Sequence, residues 1–205
     1  MKKILFPIVG ILCVSSAFAE DKFVNPYIGA NANFNTVTYG SDMNALAAMI
    51  GVDLPVFYMG VGLEGGIKLG NKKHIYNSGF SFAYDYIFNS SAGIENAYID
   101  KAEMGFSDWN VGFDNYIRIS NEDNKRTDLI LGVGIGQAHE RISIKALGIS
   151  ENISNSDEVF VVKLGSSTQL SKNIDSYVVL RSFMPFNNGD IKYVVSFQLG
   201  VKFHF

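Results

Sequence analysis

Eight ionisable residues set the limits of what this chain can do chemically. Glu64, Lys68, Asp85, Asp114, Arg118, Lys163, Arg181 and Lys192 each lie in a stretch where large apolar residues take the alternate positions. Both signs of charge carried on one face of neighbouring strands can pair, so the set reads as an ion-pair network filling an enclosed interior. The histidines, His74, His139 and His204, share no metal-ligand spacing, so no zinc site is readable. The run Gly60-Val61-Gly62-Leu63-Glu64-Gly65 matches a dinucleotide fingerprint literally. It lies inside an alternating strand rather than opening a helix, and small packing glycines explain it better. His139, beside Glu140 and near Ser143, offers a general base. A rim histidine in water is the plainer reading. Neither catalysis nor a cofactor is expected.

The elements that must position these side chains are strands. In the last fifteen residues Ile191, Tyr193, Val195, Phe197, Leu199, Val201, Phe203 and Phe205 alternate with Lys192, Val194, Ser196, Gln198, Gly200, Lys202 and His204. A period of two means one apolar and one polar face, and the run exceeds the usual length of a soluble strand. Similar alternation recurs over 27–35, 56–69, 76–88, 109–119, 129–140, 160–170 and 177–183. In the last of these Arg181 is assigned to the interior, which turns Val178 and Leu180 outward. The expected fold is all-β, an eight-stranded antiparallel barrel. Its connections alternate between long (36–55, 89–102 and 141–157, with 185–190 shorter) and tight (70–74, 120–126 and 171–174). Within the first long connection, Ser41-Asp42 can cap a short helix over 43–50 with Met43, Leu46, Ala47 and Ile50 on one side and Gly51 ending it.

Alternation alone fits a soluble barrel equally well, so the contents of the two faces must decide. Eight strands enclose just enough room for side chains. The glycine-rich, charged set fits that space. The bulky set of Phe, Tyr, Leu and Val must then face outward, which lipid tolerates and water does not. Composition agrees: 47% of residues are hydrophobic, yet no apolar run is long enough for a membrane helix. The chain is therefore expected to cross a membrane with strands, with short turns in the periplasm and long loops outside. An even strand count places both termini in the periplasm.

The amino terminus fits export. Lys2 and Lys3 precede an apolar run over 4–14, and Ala17-Phe18-Ala19 precedes Glu20, which predicts a signal peptide over 1–19 cleaved between Ala19 and Glu20. The domain expected after it is the barrel, 20–205. Cys13, the single cysteine, goes with the leader and excludes disulfides from what remains. Losing Lys2 and Lys3 takes the formal charge from −3 to −5, and no basic run is present, so nucleic acid is not a partner.

On these residues the chain resembles the small eight-stranded bacterial outer-membrane barrels of the OmpA-transmembrane, OmpX and opacity-protein type. The resemblance implies a monomer in the outer membrane, surrounded by its lipids and lipopolysaccharide; unlike OmpA itself, the chain is not expected to carry a peptidoglycan-binding domain after the barrel. It also implies that Phe205, with Phe203, Val201, Leu199 and Phe197, is the signal read by the barrel assembly machinery. The function expected first is structural and interactive: envelope integrity, adhesion or host-surface recognition through the external loops. A narrow channel for ions or small solutes comes second, and an outer-leaflet lipid-modifying enzyme is a weaker third.

Overall fold

The computed structural model describes residues 23–70, 75–94, 98–122, 125–147, 149–186 and 191–205. The expected leader, with Ala17, Ala19 and Glu20, lies outside them, as does His74. Eight long strands form the wall: β1 (Phe23–Tyr39), β3 (Phe57–Gly70), β4 (Tyr76–Ser91), β6 (Ile99–Glu122), β7 (Lys125–Ala146), β8 (Ile149–Ser171), β9 (Ile174–Pro185) and β10 (Ile191–His204). All neighbours run antiparallel, and β1 pairs with β10 to close the ring. Outside it a small ribbon joins β2 (Val52–Asp53) to β5 (Gly93–Ile94), and one helix, α1, spans Ser41–Ile50.

The period of two sets the two faces. Leu180 is 45% exposed while its neighbour Arg181 is 2% exposed, so Arg181 points inward and Val178 and Leu180 outward. The outward face carries Ile28, Phe34, Leu63, Phe80, Phe82, Trp109, Val111, Phe113, Leu131, Val133 and Leu164, all exposed. Burial of an apolar core is not what holds this wall together. The closed ladder satisfies every neighbouring strand, which is what a wall immersed in hydrocarbon requires. Asn115 is a polar residue on this outer face, and the Tyr76 hydroxyl donates to its side-chain oxygen.

The connections differ from expectation in three places. The segment 141–157 is not a loop. β7 and β8 continue through it as a hairpin, paired from Glu140↔Asn155 to Ala146↔Ile149. The alternation of Ile142, Ile144, Ile149 and Ile153 carries it, with polar residues between. β6 likewise begins at Ile99, well before residue 109, and follows β7 outward. The helix forms where expected, and Gly51 ends it in the left-handed conformation (φ 71°, ψ 46°) that glycine adopts without steric cost. Its N-cap is Gly40, however, with no side-chain cap from Ser41 or Asp42. Met43 and Ala47 are its buried residues, and Leu46 is exposed.

The third difference moves a charge. The β1–β10 register shifts between Thr38 and Tyr39, which pair with Tyr193 and Ile191. Lys192 is the bulged residue, so parity reverses there. Ile191 turns into the barrel, and Lys192 is exposed rather than part of the interior network.

Candidate functional site

The interior is filled in tiers. At the tier nearest the chain ends, Lys68 pairs with Asp128, which Arg126 also grips, and the Arg118 Nε lies 3.8 Å from the same carboxylate. Beside it the His204 Nε2 lies 2.9 Å from Asp175, which also accepts from the Ser167 hydroxyl. In the middle, Glu64 accepts from the Tyr27 hydroxyl at 2.8 Å and from the Lys202 ammonium at 3.0 Å. Lys202 lies over the Tyr27 and Tyr177 rings, at 4.6 and 4.7 Å from their centroids. Lys163 donates to the Ser81 hydroxyl at 2.7 Å and pairs with Asp114 at 3.3 Å. One tier further, Arg181 bridges Asp85 and Asp108. Asp85 also accepts from Asn33 at 3.1 Å and Gln198 at 3.2 Å.

Seven of the eight charges singled out from sequence, all but Lys192, are thus brought together inside the barrel. Sequence reading missed their partners Asp108, Asp128, Asp175, Lys202 and His204 as members of the network. Parity contained the signal: Asp128 precedes outward-facing Leu129, and Lys202 and His204 alternate with Val201 and Phe203. An isolated charge in such a space is strongly unfavourable, while a paired and hydrogen-bonded one is tolerated. The arrangement braces the interior with paired charge.

The interior is not wholly polar. Tyr116, Ile130, Tyr177 and Val179 form a small apolar cluster among the charges. At the mouth away from the chain ends a larger one gathers Val37, Tyr39, Met43 of α1, Tyr58, Phe106, Val161, Phe183 and Ile191. Tyr39 and Tyr58 share a 2.5 Å hydroxyl contact, and the Tyr39 hydroxyl donates to the Pro55 carbonyl at 2.7 Å. This cap replaces the purely salt-bridged plug that the charge pattern alone implied. Beneath it lies a cavity of about 20 Å³ between Asp108, Phe106 and Val159, room for about one water. A groove of about 810 Å³ lies on the lipid side, along Phe34, Phe57, Met59, Phe88 and Phe197.

Toward the same rim, away from the chain ends, Arg141 reaches across Gly105 and donates to the carbonyls of Ile87 at 3.2 Å and Phe106 at 3.0 Å. It thereby covers acceptors at the point where the β4–β6 register shifts between Ile87 and Ser90. A side chain at position 105 would collide with Asn89 and crowd this guanidinium. His139 contacts Ser156 across the strand pair, Nδ1 to Oγ at 2.5 Å, and not Ser143. Glu140 is buried on the opposite side of β7 and cannot orient that ring. Among the described residues no group of three or more His, Cys, Asp or Glu side chains could hold a metal ion.

A closed ring with an apolar exterior and a braced, charged interior defines a membrane-spanning β-barrel. The chain belongs to the outer membrane protein beta-barrel domain family, which it matches over residues 4–205, and its place is the outer membrane. No curated protein matches the sequence. Among solved structures it is similar to Ail, the attachment invasion locus protein of Yersinia pestis, at 18% identity and TM-score 0.50, covering 91% of this chain and 100% of that one. Ail in complex with the heparin analogue sucrose octasulfate is similar at 16% identity and TM-score 0.51, with the same coverage. Neisserial surface protein A is similar at 14% identity and TM-score 0.46, covering 88% of this chain and 97% of that one.

Proposed function

We propose that this protein acts through what it holds outside the cell, and that its barrel is an anchor rather than a passage. The observation that carries this reading is the sealed interior: three tiers of paired charge beneath the cap of Tyr39, Tyr58, Phe106 and Met43. Past that cap the chain still builds α1, the β2–β5 ribbon and the extended β6–β8 sheet. The short turns and both termini lie in the periplasm, and the protein works as a non-catalytic monomer. The leader over 1–19 is removed after Ala19, and the stripe from Phe197 to Phe205 is read by the assembly machinery. The groove along Phe34, Met59 and Phe88 suits outer-membrane lipid or lipopolysaccharide chains.

The similarity to Ail bears on the kind of ligand. A structure of that protein holds a sulfated sugar analogue. Here the external segments carry Asp42, Asp53, Asp100, Glu103, Glu151, Asp157 and Glu158 against Lys101, Arg141, Lys145 and Lys192. An acidic surface repels polyanions, so a protein ligand with basic residues fits better. Planar-bilayer recording of the refolded barrel tests the anchor reading. At most small, intermittent currents are expected, and a large steady conductance would move the protein to the channel class.

A further inference from the structure

We infer that the mouth away from the chain ends holds a socket for one lysine side chain of a protein ligand. The inference rests on the basic-ligand reading above and gives that reading a site. The cavity of about 20 Å³ beneath the mouth cluster is lined by two kinds of group. Ile87, Phe106, Val159, Phe183, Ile191 and Val194 make apolar walls, and Asp108, Glu140 and Asp157 bring three carboxyl groups to the same space. Asp108 and Glu140 are buried, while Asp157 is half-buried, so the cavity meets solvent beside it.

Two further observations point to a cationic guest. The first is a charge count. Asp85 lies one level further in, which makes four carboxyl groups at this end, and Arg181, between Asp85 and Asp108, is the cation that faces them. Arg141 sits on the outward side over the Tyr86 ring, and Lys192 is exposed at its bulge. Residues 95–97, 148 and 187–190 contain no Lys or Arg. Carboxylates held out of water in excess of their cations are strongly unfavourable, and an added ammonium offsets that excess.

The second observation is an excess of acceptors. The side-chain amide nitrogens of Asn110, Gln198 and Asn35 donate to Asp108 at 3.2 Å, Asp85 at 3.2 Å and Asn33 at 2.9 Å. The oxygens of the same three amides are buried without a hydrogen-bond partner, against one orphaned donor at this level, the Arg181 Nε. All three residues are at most 2% exposed. A guest that brings N–H donors and no acceptor answers both observations.

Size and shape select lysine. A cavity this small admits about one water-sized group. An ammonium has that size, and the planar guanidinium fork exceeds it. The four methylenes of the lysine stem suit the apolar walls while the head reaches the acids.

The test is calorimetric titration of the full-length barrel in lipid nanodiscs. The probe is the synthetic peptide Gly-Ser-Gly-Lys-Gly-Ser-Gly with blocked ends. Saturable binding is expected, weakened about tenfold or more when the lysine is Nε-acetylated. Asp157→Asn and Glu140→Gln should each weaken it about five- to tenfold. Ala138→Leu, which fills the cavity with hydrocarbon, should abolish it. Glu151→Gln, at an acid outside the cavity, should leave it unchanged. Absent binding, indifference to acetylation, or equal binding by all three cavity variants in barrels that keep their heat-modifiable mobility would overturn the socket. A ten-lysine peptide separates the socket from the wider reading. Bound with unchanged affinity by the three cavity variants, it rejects the socket alone. Left unbound by the unmodified barrel, it rejects the basic-ligand reading and the socket with it.

Discussion

At the scale of single residues, the decisive quantity is the free energy of a charge held out of water. Arg181 is buried between Asp85 and Asp108. Arg181→Ala leaves two carboxylates facing each other, which should cost about 3–5 kcal/mol, read as a lower urea midpoint for the folded barrel in lipid. Lys192 makes the contrast. Because the bulge at Lys192 turns it outward, Lys192→Ala should change stability by less than about 0.5 kcal/mol. Equal losses from the two substitutions in parallel unfolding curves would return Lys192 to the interior. His139 and Ser156 touch at 2.5 Å, and the nearby carboxylate of Glu140 is buried on the other side of the strand, so it does not orient that ring.

At the scale of elements, face and register carry the consequences. Leu131 and Val162 face lipid, so Leu131→Arg or Val162→Arg should each cost about 2–4 kcal/mol near the bilayer midplane. Their neighbours Gly132 and Lys163 face the interior, and substitution there should act through crowding or lost pairing, without dependence on membrane depth. Cysteines at 131 and 162 should react with lipid-phase reagents and a cysteine at 163 should not; the opposite pattern would invert the face assignment. Arg141 belongs to this scale too, because it acts on a strand junction. Arg141→Ala should speed amide exchange on both sides of the β4–β6 register shift and leave the opposite wall, β9–β10, unchanged. Uniform exchange rates across both would remove its role as a staple.

At the scale of the whole molecule, the barrel interior is filled in two ways, by paired charge and by an apolar cluster at one mouth. Removing α1, for instance by replacing 41–51 with a short glycine-serine link, takes Met43 from the mouth cluster but leaves the charge tiers intact. Conductance should then rise modestly and only to small ions; a rise equal to that of Arg181→Ala would mean that one barrier controls both. The chain's end is paired to β1 and its rings pack together: the Phe205 amide donates to the Pro26 carbonyl at 3.1 Å, and the Phe203 and Phe205 rings meet edge to face at 5.3 Å. Deleting Phe205 should reduce the heat-modifiable barrel recovered from the outer membrane. Normal recovery would show that assembly is not read from this residue.

Strand identity, the inward and outward faces and the even strand count were legible in the sequence, because side-chain direction in a strand depends only on position parity. Seven of the interior charges were legible for the same reason. The partner of each charge was not, since pairing joins residues such as Asp85 and Arg181 that are far apart in the chain and meet only once the ring closes. Lys192 was misplaced because a one-residue bulge reverses parity without leaving a compositional mark. The outward extension of β7 and β8 was hidden by polar residues that a strand can carry when both its faces meet water. The apolar mouth lay beyond parity too: Tyr58 and Phe106 meet at 4.9 Å from different strands, and only the closed barrel gathers them into one cluster with Met43 of α1.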